Sequence, residues 1–176
     1  AELPRAAADS LPVLIGETYV FERERVVDFL GHGDELHLGF NIPALHSPWD
    51  ASVWRDEVSA AIDLYEPVGG WPCWVLSNHD VVRHRTRYGT DARARAAATL
   101  LLTLRGTPFL YQGEELGLQD AVIPDDRVVD PGGRDGCRAP IPWTDGPNCG
   151  WSTDPWLPFA PDAAALSVAR QSGDPS

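Results

Sequence analysis

The sequence predicts a parallel α/β fold, about half of a (β/α)8 barrel, on three observations. Short apolar runs alternate with helical stretches at about 30–35 residues per unit, the rhythm of strand-then-helix repeats. Three of the four runs are continuously apolar, as strands buried on both faces are. The phosphate loops GxGxxG and GxxxxGK, which a doubly wound nucleotide binder places after a strand, do not occur in the 176 residues. Four strands amount to about half of an eight-stranded barrel.

Each element has its own justification. LPVLIGETYV (11–20) is the first strand, an apolar run closed by Gly16 and Glu17. Val26, Val27, Phe29 and Leu30 follow a short helical pattern that stops at Gly31. HLGFNI (37–42) is a second, weaker strand. From Ser47 to Tyr65 the pattern is helical: Asp50 is placed to cap it, and Trp54, Val58, Ala61, Ile62 and Tyr65 fall on one face. WPCWVLSN (71–78) is the third strand. Asp91 to Leu104 is the clearest helix, capped by Thr90 or Asp91, filled with alanine and leucine, and ended by Gly106 and Pro108. TPFLYQG (107–113) is the fourth strand. Beyond about residue 119 the chain turns rich in Pro, Gly, Asp and Trp, a long loop of the kind that more often serves function than not. The expected division is residues 1–118 as the barrel half and 119–176 as the loop region after the last strand.

Composition narrows the partners. Fourteen Lys and Arg against 26 Asp and Glu give a formal charge of −12. Nonspecific nucleic-acid binding draws its affinity from cations on phosphates, so no nucleic-acid partner is expected. The charge gives no support for docking on anionic lipid either; a neutral substrate fits. No apolar run reaches about 18 residues, so no membrane span is expected. AELPRAAADS lacks the charged-then-apolar order of a signal peptide, and a cytoplasmic location is expected. Cys73, Cys137 and Cys149 fit neither a disulfide framework nor a zinc site, which leaves reduced structural cysteines. The chain opens at Ala1 without methionine and closes on the polar SVARQSGDPS, which leads us to expect a piece of a longer protein. Oligomeric state is not legible.

The chemistry is concentrated at strand ends. In WPCWVLSNHDVVRHRTRYG the apolar run breaks within one residue into Ser77, Asn78, His79 and Asp80. A barrel carries its catalytic groups at the carboxyl ends of its strands. Three of the four runs here end in carboxylates: Glu17, Asp80 and the Glu114–Glu115 pair. Singly each reads as a cap or a solvated loop residue; together they are expected to face one mouth. Carboxylates converging without phosphate- or metal-binding signals point first to glycoside cleavage, with no cofactor and no metal. That reaction needs one protonated acid to assist the leaving oxygen and one carboxylate beside the oxocarbenium-like carbon. Tyr19 and Phe21 are expected to desolvate Glu17 toward the acid role. His79 and Arg83 are expected to favour the charged form of Asp80. Arg83 is a candidate to pair with Asp80 or another carboxylate; Arg85 and Arg87 are expected to be solvated or to brace the loop. His84 has no motif behind it.

IGETYV, VLSNHDVVRHRTRYG, GTPFLYQGEELGL and GRDGCRAPIPW, taken in order, resemble consecutive blocks of the α-amylase family, in its α-glucosidase and oligo-1,6-glucosidase branch. The resemblance implies a partial (β/α)8 TIM barrel comprising about strands 5 to 8. It implies Glu17 as general acid/base, Asp80 as transition-state stabiliser, and His79 and Arg138 as substrate-binding residues. The substrate implied is an oligosaccharide or disaccharide with terminal α-linked glucose. The Glu114–Glu115 block is implied to be structural. Two departures stand out. Ala139 occupies a position where the family usually has threonine. No GFRxD-like block, which carries the family's nucleophilic aspartate, occurs in these residues, although a retaining mechanism needs that group. The early strands and the last barrel helix are missing as well, so the piece alone is expected to be inactive. Relatives that transfer or isomerise glucosyl units, of the trehalose synthase and sucrose isomerase type, share the same blocks. A non-catalytic relative of the barrel, and a metal-dependent barrel using Glu17 and Asp80 as ligands, are the rival readings from other classes.

Overall fold

The structure, a computed structural model, describes residues 12–32 and 34–173. In chain order it contains β1 (Ile15–Gly16), α1 (Arg23–Val26), β2 (Leu38–Gly39), α2 (Ile42–Leu45), α3 (Ala51–Tyr65), β3 (Cys73–Val75), α4 (His84–Tyr88), α5 (Asp91–Thr103), β4 (Thr107–Phe109) and α6 (Val168–Ser172). All four predicted strands occur, each shorter than its apolar run; Leu11, the first residue of the first run, lies outside the described residues.

The strands lie side by side in chain order. β1 pairs parallel with β2, Ile15 opposite Leu38 and Gly16 opposite Gly39. β3 pairs parallel with β4, Cys73 opposite Thr107 and Val75 opposite Phe109. One parallel bridge, Phe40 to Cys73, joins the two pairs, and the Asn41 N–H donates to the Cys73 carbonyl at 3.1 Å. The result is an open parallel wall; among the described residues it does not close into a barrel.

β3 shows why its run lacks alternation. Trp74 and Leu76 turn outward into a core with Trp54, Ala61 and Tyr65 of α3 and Ala97 and Leu101 of α5. Val75 turns the other way, onto Ile42 and Leu45 of α2, with Phe40 and Phe109 packed alongside. The Phe40 and Phe109 rings meet edge to face at 4.8 Å, a favoured aromatic geometry. Both faces are therefore covered, and each position must be apolar.

The helices begin and end where local chemistry requires. Asp50 caps α3 by accepting from the N–H groups of Ser52 (2.8 Å) and Val53 (3.2 Å). Of its predicted face, Trp54, Ala61 and Tyr65 are buried. Glu57 is buried beside them, where it pairs with Arg23 and accepts from the Ser47 hydroxyl at 3.2 Å. The Thr90 side chain caps α5 through the Arg93 N–H. After α5 the chain turns through Gly106 at φ +142°, where a Cβ would lie 2.4 Å from Trp74 Nε1 and 2.7 Å from the Pro72 carbonyl. Only glycine permits that turn against β3. Helix α4 was not expected from the sequence, because HRTRY has no apolar periodicity; its buried contacts are His84 and Tyr88, four residues apart.

Past β4 regular structure is sparse: three short 3₁₀ turns (Asp125–Arg127, Asp135–Arg138 and Pro147–Gly150) and α6. A small core of Leu116, Leu118, Ile141 and Ala160 holds this region down. No helix among the described residues is long and apolar enough to cross a membrane.

β1 and β4 each have a free edge among the described residues, with Ile15 43% and Leu110 47% exposed beside them. Unpaired edges with apolar flanks template association. The isolated 176-residue chain should therefore self-associate in light scattering at micromolar concentration. A monodisperse monomer that unfolds cooperatively would contradict this.

Candidate active site

The polar end of β3 is built from the inside out. Ser77 is fully buried. Its hydroxyl accepts from the His84 N–H at 2.9 Å and lies 3.1 Å from His84 Nδ1. Glu114 Oε1 lies 3.1 Å from the same ring nitrogen, while its Oε2 accepts from the Tyr111 N–H at 3.1 Å. This buried network ties the ends of β3 and β4 together, and a fully partnered network of that kind rigidifies its surroundings. Next, Asn78 Oδ1 accepts from the Asp80 N–H at 2.9 Å, forming an Asx turn closed by a bridge from Asn78 to Val81. The turn carries His79 and Asp80 to the open end of the wall.

There the structure brings three predicted residues together. Glu17, which follows β1, offers a carboxylate oxygen that lies with an atom each of His79 and Asp80 inside a mutual spacing of 4.8 Å. Glu17 and His79 are exposed, and Asp80 is about a quarter exposed. Asp80 Oδ2 lies 3.4 Å from His79 Nε2. Its Oδ1 accepts from Arg138 Nη2 at 3.0 Å and from Arg134 Nη1 at 2.7 Å. Arg138 also donates through Nε to the His79 carbonyl at 2.8 Å. Arg134 in turn grips Asp130 with two bonds, at 2.6 and 2.9 Å. Its hydrogen bonding holds the Asp130 carboxyl well below the usual carboxylate range.

Three expectations need correction. Arg83 does not reach Asp80: its guanidinium is buried over the Tyr111 ring and Nη1 donates to the Gln112 carbonyl at 2.8 Å, because β4 and its turn close over it. It makes no ion pair among the described residues; the cations on Asp80 come from the long loop instead. Second, Tyr19 and Phe21 do not desolvate Glu17. They pack on each other and on His46, the Tyr19 hydroxyl 3.1 Å from His46 Nε2, and Glu17 stays exposed. Third, Glu114 and Glu115 do not share the mouth. The first is bound to His84, and the second accepts from the Gly113 N–H at 2.7 Å, as structural groups do. His84, which has no motif behind it, is buried between Ser77 and Glu114. Arg87 braces the loop as expected, donating to the carbonyls of Val82 and Leu76.

Arg134 and Asp130 were missed. The available signal was the spacing in GRDGCR, which sets two arginines four apart on one helical turn. Glu17, His79 and Asp80 can each offer a ligand to a metal ion. Two guanidinium groups on Asp80 Oδ1 would repel such an ion and compete for its best ligand.

A family model described as alpha amylase, catalytic domain, matches residues 32–176. The chain belongs to the alpha-amylase family. It is 37% identical to a probable alpha-glucosidase of Rhizobium meliloti (strain 1021), covering 98% of this chain and 34% of that protein. It is 31% identical to an oligo-1,6-glucosidase of Parageobacillus thermoglucosidasius, over 61% of this chain and 25% of that one. The solved structure of an alpha-glucosyl transfer enzyme, XgtA, superposes with a TM-score of 0.81 at 41% identity, covering 92% of this chain and 32% of its own. The chain thus spans a quarter to a third of the length of these relatives.

One thiol of this alpha-amylase-family chain borders the site. Cys137 is buried, and its Sγ lies 3.4 Å from the His79 carbonyl and 3.1 Å from that of Arg134. Burial pushes this thiol up to about 11, and Cys73 up to about 12. At about pH 8 the thiolate fraction of Cys137 is then roughly a hundredfold below that of an unperturbed thiol. Iodoacetamide should label Cys137 slowly in the folded chain, accelerating only as pH approaches that value. Rapid labelling at about pH 8 would contradict the burial.

Proposed function

We propose that the protein containing this chain is a retaining α-glucosidase that releases terminal α-linked glucose from oligosaccharides, and that β1 to β4 are the fifth to eighth strands of its barrel. The observation that carries this reading is the meeting of Glu17, from the end of β1, with Asp80, from beyond β3, beside His79. The alpha-glucosidase and oligo-1,6-glucosidase named above support the substrate class.

On this reading Glu17, open to solvent and ligand, protonates the glycosidic oxygen as the bond breaks. It later takes a proton from the water that attacks the glucosyl intermediate. Asp80 presents Oδ2 to the positive charge that develops on the sugar ring and stabilises it electrostatically. His79 and Arg138, beside it, donate to sugar hydroxyls. The covalent bond to the anomeric carbon is made by an aspartate outside these 176 residues, which contain no GFRxD-like block. Neither step calls on a cofactor.

A second reading has its own support: the likeness to a glucosyl transfer enzyme favours a sugar hydroxyl rather than water as the acceptor. Free glucose as the main product from maltose favours hydrolysis; transfer or isomer products favour the alternative.

In the full-length protein, Glu17→Gln should lower kcat on maltose by about 10²–10⁴-fold, the usual contribution of a positioned acid. Asp80→Asn should lower kcat far more than it raises KM, since its charge matters most in the transition state. Steady-state kinetics decide it, and near-normal turnover of either variant would remove that residue from the mechanism.

A further inference from the structure

We infer that Arg134 is a positioning residue for Asp80, an inference that rests on the glucosidase reading above. Asp80 is fixed at its backbone by the Asx turn of Asn78, but its carboxylate can still rotate. Oδ1 is held by Arg134 and Arg138, which leaves Oδ2 directed at the side of Glu17 and His79. The two arginines are not equivalent. Arg138 is also tied to the His79 carbonyl, and its Nη1 has only a 3.9 Å approach to Asp130, so it retains a donor for a sugar. Every nitrogen of Arg134, by contrast, already holds a carboxylate: Nε and Nη2 donate to Asp130, and Nη1 to Asp80.

The support behind Arg134 runs into the protein. Asp130 accepts from the Arg134 N–H at 3.0 Å as well as from its side chain. The N–H groups of Val129 and Asp130 donate to Oδ2 of buried Asp135, at 2.7 and 2.9 Å. Asp135 thus pins the backbone that holds Asp130, which holds Arg134, which holds Asp80. Because Asp130 balances its charge, Arg134 orients the carboxylate while the pair adds little net charge to the site. That is what a charge-stabilising carboxylate requires: fixed direction without cancellation. When a substrate recruits Arg138, Arg134 is the remaining grip on Oδ1.

The test is a double-mutant cycle in the full-length protein with an aryl α-glucoside. Arg134→Met should lower kcat by about 10–100-fold, the cost of misplacing a reacting group by about 1 Å, while KM changes by less than about threefold. Arg134→Lys should recover part of the loss. Added to Asp80→Asn, Arg134→Met should cost little more, because the carboxylate it aims is already gone. A loss that multiplies in full onto that of Asp80→Asn, or an Arg134→Met kcat within about twofold of the parent, overturns the inference and leaves the glucosidase reading standing. An Asp80→Asn variant with near-normal kcat removes both. If Arg134→Met does not fold, Asp130→Asn carries the test. It should lower kcat by about tenfold in the parent and not in the Asp80→Asn background; an unchanged kcat in the parent overturns the inference.

Discussion

Burial of β3 on both faces is the constraint on which the rest depends. From Pro72 to Ser77 the chain is buried without a break, with Trp74 and Leu76 turned to the helices and Val75 to the opposite face. A segment so enclosed cannot carry free polar groups except where it emerges. Ser77 is the last enclosed residue, and its hydroxyl is satisfied by His84. Asn78 then spends its side chain on the turn, and Asp80 is the first carboxylate released to the open end. The parallel pairing that places Phe40 beside Cys73 also sets β1 on the same side of β3. Register alone therefore brings Glu17 to the end of the wall where Asp80 appears.

That logic explains what was legible in the sequence. The positions of the strands along the chain, the Asp50 and Thr90 caps and the stop at Gly106 are local or nearly so, and each is readable from residue type and spacing. That Glu17, His79 and Asp80 meet at one end of the wall was legible because they sit directly after apolar runs, where a strand must deliver them. Helix α4 was hidden because two buried side chains do not make a period. The partners of each charge were hidden more deeply. Arg83 is three residues from Asp80 and looked like its counterion, yet it is drawn under Tyr111. The actual cations lie 54 and 58 residues away, in a stretch without regular periodicity. Proximity in sequence is a poor guide to ion pairs where a turn separates the two side chains.

The region after β4 is thus more than a connector. It has its own small core, and its 3₁₀ turn at Asp135–Arg138 supplies both guanidinium groups on Asp80. Buried Asp135 links that turn to the segment before it, and Cys137 lies against the His79 carbonyl. A long segment with little regular structure but many specific polar contacts is what a rigid scaffold requires to finish a site at its rim.

The central claim is that Glu17 and Asp80 border one sugar-sized opening. A crystal structure of the full-length protein with a bound iminosugar, whose ring nitrogen mimics the charge of the transition state, tests it most directly. The sugar ring should lie between the two carboxylates, its hydroxyls accepting hydrogen bonds from His79 or Arg138. An iminosugar bound away from both acids, or the two carboxylates lying on opposite sides of the molecule, would contradict it.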